Sequence, residues 1–138
     1  MQSGTAFTSL DFASEERFQR LRHELGVSTF GLNLIRLRPG QRGRIHAHDH
    51  QEEVYIVLDG TLTLEIEGEP RELRRGDLAR VAPEVRRRVV NRGNEPVFVL
   101  ALGGAEPHVG RDGRAWESWE EGGEGRPPQE VPLPADET

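Results

Sequence analysis

The stretch GQRGRIHAHDHQEEVYIVLDG, residues 40–60, decides how this chain is read. Gly40 and Gly60 bound it, each closing a turn signal, Pro39-Gly40 and Asp59-Gly60. Between them, three of the five histidines fall within five residues, as His46, His48 and His50, and the apolar run 54–58 follows. Alternate residues of an extended strand share one face, roughly 6.6 Å apart. Two imidazoles on one face converge on a single ion when a third ligand comes from a neighbouring strand, and Glu53 opens that strand. Imidazole and carboxylate ligands without thiolate suit iron(II), manganese, nickel, copper or zinc. A His-x-His pair alone is more often a solvated polar turn, so the surrounding spacing carries the argument.

Working outward, residues 28–103 read as short strands separated by turn signals. The strands fall at 30–37, 53–58, 61–66, 78–81, 86–90 and 97–102. The punctuation includes Gly68-Glu69-Pro70, Gly76-Asp77, Asn91-Arg92-Gly93-Asn94 and Gly103-Gly104. Leu62, Leu64 and Ile66 alternate with Thr61, Thr63 and Glu65, the period of a half-buried strand. Runs 54–58 and 97–102 are apolar on both faces, so one face lines an interior and the other meets a second sheet, an N-terminal helix or another subunit. The pattern predicts a sandwich or barrel. Residues 1–27 form a leading segment with one helix, Ser14 as N-cap and Gly26 as stop, and Phe18, Leu21 and Leu25 as its apolar stripe. Residues 104–138 form a Pro/Gly-rich acidic extension. Trp116 and Trp119 in it predict that the segment around 111–119 packs back on the barrel or a partner, while 120–138 reads as solvated and partly flexible. His108 and the turn 110–114 read as surface.

Composition excludes whole classes of chemistry. The 138 residues contain no Cys, which removes thiol nucleophiles, thiolate zinc sites and iron–sulfur clusters. All 18 basic residues are Arg, which removes Schiff-base lysine mechanisms. Residues 1–103 carry 15 acidic and 15 basic residues, so the net charge of −6 resides in the extension. That balance argues against a nucleic-acid footprint. No apolar run is long enough to span a membrane. The first sixteen residues lack Arg, Lys and an apolar core, so a cytoplasmic location is expected.

Gly40, His46, His48, Glu53 and Gly60 give G-x5-H-x-H-x4-E-x6-G, which resembles the first motif of the cupin superfamily at all five fixed positions. The second motif, G-x5-P-x-G-x2-H-x3-N, is framed here by Gly76 and Asn91. Its Pro position is Ala82, its Gly position Glu84 and its His position Arg87. The resemblance implies an all-β antiparallel jelly-roll barrel over about 28–103, of the single-domain cupin 2 conserved-barrel type, with metal ligands pointing inward. It also implies a homodimer. The family's fourth ligand is replaced.

Three readings of Arg87 stand at this point. A divalent transition metal sits on His46, His48 and Glu53, with His50 as a further candidate ligand. Alternatively Arg87 pairs with Glu53 and replaces the ion. In the third, Arg87 lies at the barrel mouth and clamps an anionic ligand through a bidentate contact. Tyr55 shares the parity of Glu53 and belongs on the cavity wall, as a ligand contact or as core. The functional expectation is a metal-binding barrel that takes a small, anionic organic molecule, with catalysis left open. A metal-free ligand-binding or sensor module is the alternative, and a partner-binding barrel working through its acidic tail is a third.

Overall fold

The computed structural model describes residues 4–105 and 112–137. Among these, ten strands form two five-stranded antiparallel sheets. In chain order they are β1 (Phe18–Gln19), β2 (Phe30–Leu37), β3 (Ile45–His48), β4 (Glu52–Asp59), β5 (Thr61–Ile66), β6 (Glu69–Arg74), β7 (Leu78–Val81), β8 (Arg87–Val90), β9 (Val97–Gly104) and β10 (Gly113–Trp116). One sheet runs β1-β2-β9-β4-β7 and the other β10-β3-β8-β5-β6. The sheets face each other as a jelly roll. The core between them is built by the inward halves of the alternating strands, including Ile35, Leu37, Tyr55, Val57, Leu62, Leu64, Val97 and Val99. Gly60 links β4 to β5 at φ 81°, where a Cβ would lie 2.4 Å from the Pro96 carbonyl, so only glycine fits.

The doubly apolar β9 is explained by the leading segment. Val97, Val99 and Ala101 face the core, while Phe98 packs outward with Leu21 and Leu34. The N-terminal helix is much shorter than expected, spanning only Leu21–Leu25 (α1) before Gly26 at φ 71°. Ser14 does not cap it. Its Oγ accepts from Glu16 N–H, and Arg36 donates to the carbonyls of Glu16 and Asp11 at 2.6 Å each. The Glu16 carbonyl is thereby withdrawn from a helical bond, and Phe18–Gln19 pairs as a strand with Ile35 and Leu34.

The turn at 68–70 also moves. Glu67 at φ 51° and Gly68 at φ 85° make the two-residue hairpin, and Glu69 and Pro70 belong to β6. Proline is tolerated there because β6 is a sheet edge. The extension is anchored as well as solvated. Ala115 pairs with His46 in β3, Val131 is 2% exposed, and Arg44 and Arg42 donate to the carbonyls of Val131 and Ala135.

Candidate metal centre

Strand β3 alternates cleanly. Ile45 and Ala47 turn outward to Trp116, while His46 and His48 turn inward. Register sets His46 opposite Arg87 of β8, and β4 brings Glu53 and Tyr55 to the same interior. The ligand atoms of His46, His48 and Glu53 lie within 4.8 Å of one another. His46 Nε2 is 3.3 Å and His48 Nε2 is 3.5 Å from Glu53 Oε1.

Partners on the far side of each ring fix which nitrogen faces the cluster. His46 Nδ1 is 3.2 Å from the Arg44 carbonyl, and His48 Nδ1 is 2.9 Å from Asp112 Oδ1. Each acceptor calls for a proton on Nδ1, leaving both Nε2 atoms as lone pairs when the rings are neutral. Two lone pairs then face a carboxylate oxygen. Such a cluster needs positive charge between its members, a proton or a metal ion. His48 Nε2 is buried and has no hydrogen-bond partner. These residues therefore fit a two-His-one-carboxylate metal site.

Glu53 is held as the anion. Burial pushes its carboxyl up, but the imidazoles of His46 and His48 and the Arg87 guanidinium outweigh this and keep it well below the usual range. Burial lowers the His48 pKa, yet Glu53 and Asp112 raise it overall, so the site favours a cation there. Tyr55 is 1% exposed and donates its hydroxyl to Glu53 Oε1 at 2.5 Å. Burial and the Glu53 charge push the phenol well above its ordinary value, so it stays a donor. Its ring belongs to the core, and only its hydroxyl reaches the site.

Arg87 is buried in the barrel rather than exposed at its mouth. Its side chain is 0% exposed, with Nη2 3.2 Å from Glu53 Oε1 and Nη1 donating to the carbonyls of Val85 and Pro83. The strand pairing with His46 and Ile66 holds it inside. Neither Nε nor Nη2 has a hydrogen-bond partner, so the Glu53 contact is an ion pair alone. His50 is not brought into the cluster. Its imidazole is 62% exposed in the turn, and its backbone N–H donates to Asp112.

Asp112 is the residue that sequence reading missed. Its side chain is 2% exposed, contrary to a surface turn. Oδ2 accepts from the N–H groups of His50 and Gln51, while Oδ1 takes His48 Nδ1 and Gln51 Nε2. Burial alone would raise its pKa, but the Gln51, His50 and His48 contacts hold it below the ordinary value. Arg114 pairs with Asp49. His108, Gly110 and Arg111 lie outside the described residues.

The Cupin domain family matches residues 33–103, just over half the chain. This protein is a cupin. Among solved structures, this cupin is similar to a cupin 2 conserved barrel domain protein from Salinispora arenicola, at 26% identity and TM-score 0.63, covering 73% of this chain and 89% of that one. It is also similar to a sugar phosphate isomerase of the cupin superfamily from Silicibacter pomeroyi, at 33% identity and TM-score 0.59, covering 63% and 57%. A curated relative is the tetracenomycin polyketide synthase protein TcmJ of Streptomyces glaucescens, 30% identical over 76 residues, 55% of this chain and 51% of that protein. The cupin spans about half the length of the first curated relatives it matches.

Proposed function

We propose that this cupin binds one divalent transition metal through His46, His48 and Glu53, and that a small anionic organic molecule binds at the barrel mouth beside it. The observation that carries the reading is the convergence of two imidazole Nε2 atoms on Glu53 while both Nδ1 atoms are engaged elsewhere. A bound metal would supply a Lewis acid for a ligand oxygen. The chain's own residues supply the rest. Tyr55 and Arg87 hold Glu53 ionised, Asp112 sets the His48 tautomer, and the partly exposed faces of His46 and His48 border the ligand space. The named activities of the relatives, a sugar phosphate isomerase and a polyketide synthase protein, support an oxygen-rich organic ligand.

The test is metal content by plasma mass spectrometry on protein purified without a metal-affinity column. A near-stoichiometric transition metal in wild type, lost in His46→Ala and His48→Ala, is the expected result. Wild type that stays empty after incubation with iron, manganese, nickel, copper and zinc would overturn it.

A second reading has its own observation, the Arg87–Glu53 pair, with the guanidinium 0% exposed and the carboxylate 14% exposed. There the guanidinium takes the place of the ion, and ligand-induced thermal stabilisation persists in chelator. Loss of that stabilisation in chelator would count against it.

A further inference from the structure

A cavity of about 450 Å³ opens between β6 and β7, the edge strands of the two sheets. It is lined by none of His46, His48, Glu53 or Asp112. Its floor is the apolar inner face of the barrel, with Leu64, Ile66, Leu73, Val81 and Val85. Two cations complete the lining, Arg71 and Arg80, and no carboxylate does.

Arg71 is out of place by pattern. Leu73 of β6 is 8% exposed and packs in the core, and Arg71, two residues earlier, shares its side of the strand. Register sets Arg71 directly opposite Leu64, itself 2% exposed. A guanidinium thus projects from the core-facing side of an edge strand over an apolar floor. Among the described residues it has no ion pair or side-chain hydrogen bond, whereas Arg74 pairs with Glu72 and Arg80 with Glu52. An unpaired cation at the rim of an apolar cleft is complementary to an apolar body carrying an anionic head group, such as a carboxylate. The volume falls within the roughly 300–1,000 Å³ typical of small-molecule pockets.

We propose that the β6–β7 cleft is a binding site for a small amphipathic carboxylate, its head group on Arg71 and its apolar body along Leu64, Leu73 and Val81. No metal-ligand candidate lines the cleft, although Val81 and Ile66 of its wall pair across strands with Glu53 and Arg87. The cleft has a further physical link to the metal centre, since its wall at Ala82 and Val85 adjoins the segment whose Pro83 carbonyl accepts from the His48 N–H and whose Val85 carbonyl accepts from Arg87.

The experiment is titration of the full chain with decanoate in excess chelator, followed by backbone amide shifts and calorimetry. Chelator removes the metal, so failure of the metal reading leaves this test unaffected. The expected result is saturable binding with perturbations centred on residues 64–66, 71–73 and 79–85. Decan-1-ol should bind at least tenfold more weakly. Arg71→Gln, at an exposed position, should weaken decanoate at least tenfold without lowering Tm, and Ala82→Phe should block the cleft by filling it. Equal binding of the alcohol, an unaffected Arg71→Gln, perturbations that map elsewhere, or a concentration-dependent dimer that buries the cleft and excludes decanoate would each overturn the proposal.

Discussion

Glu53 Oε1 gathers the Tyr55 hydroxyl, both imidazoles and the Arg87 guanidinium, and this crowding makes the site sensitive to single changes. Arg87→Met removes the one guanidinium that, among the described residues, pairs with the largely buried Glu53 carboxylate, while keeping much of the side-chain volume. Breaking a buried pair on one side costs about 3–5 kcal/mol, so denaturant unfolding of the metal-free variant should show a loss of that order. Arg87→His restores an imidazole where the family has its fourth ligand, and competitive chelation should show tighter metal binding than wild type. Asp112→Asn keeps an acceptor for His48 but turns an amide toward one of the N–H groups of the turn. Metal affinity should fall by about 10- to 100-fold, the usual effect of losing such a supporting carboxylate. Unchanged affinity would show that the His48 tautomer is set elsewhere. His46, His48 and Glu53 were legible in the sequence because strand alternation fixes their facing and the glycine-bounded spacing fixes their register. Asp112 was not legible, because it lies 64 residues from His48 in a Gly-Arg-Asp-Gly-Arg string that looks like any polar turn. The pairing of Gly113 with His48, together with the Asp49 N–H bond to the Asp112 carbonyl, brings it there.

The elements read correctly are those whose alternation is apolar. Phe30–Leu37, Thr61–Ile66 and Leu78–Val81 fall where the pattern places them. Strand β6 escaped because an edge strand faces solvent and is built from Glu, Pro and Arg. The leading helix was overextended because a Ser followed by Glu15 and Glu16 imitates a cap, while the competing bonds come from Arg36, twenty residues onward. The C-terminal tail likewise looks solvated by composition, yet it is tied down at separate points. Glu137 pairs with Arg92, and its N–H donates to the Gly40 carbonyl. The Arg92 hydrogen bond and charge outweigh partial burial and hold the Glu137 carboxyl below its ordinary value of 4.5. A carboxyl depressed in the folded state stabilises above its unfolded pKa, and the contribution fades as pH falls through the folded value. At this partly exposed position it is worth at most about 1 kcal/mol. Amide shifts of Val131 to Glu137, followed from pH 6 to pH 3, should therefore show local release below pH 4.5 before the barrel unfolds. In Glu137→Gln that acid step should vanish. Persistence of the step in the variant would assign the release to another carboxylate.

At the scale of the molecule, the family segment 33–103 is smaller than the unit the site requires. It contains His46, His48, Glu53 and Arg87 but omits Asp112 and all of β10, which pairs with β3 from Gly113↔His48 to Trp116↔Ile45. It also omits Leu21, which covers the outer face of Phe98. Truncation after Ala105 would strip one side of β3 and uncover Ile45 and Ala47, now 2% and 3% exposed. A bare strand edge beside exposed apolar side chains promotes self-association. The shortened protein should therefore aggregate at lower temperature and bind metal more weakly than Asp112→Asn does, because the strand that carries both histidines loses its neighbour as well as its carboxylate. Truncation after Pro127 separates the two effects. It keeps β10, Asp112 and the Ala115–Arg126 bridge but removes the Val131 and Glu137 anchors. Its metal affinity should stay within about threefold of the full chain while its Tm drops by several degrees, consistent with losing one buried valine and a surface ion pair. Light scattering and calorimetric titration on the two truncations read both quantities. If the chain ending at Ala105 binds metal as tightly as the full chain, the extension takes no part in the centre, and the role given to Asp112 falls with it.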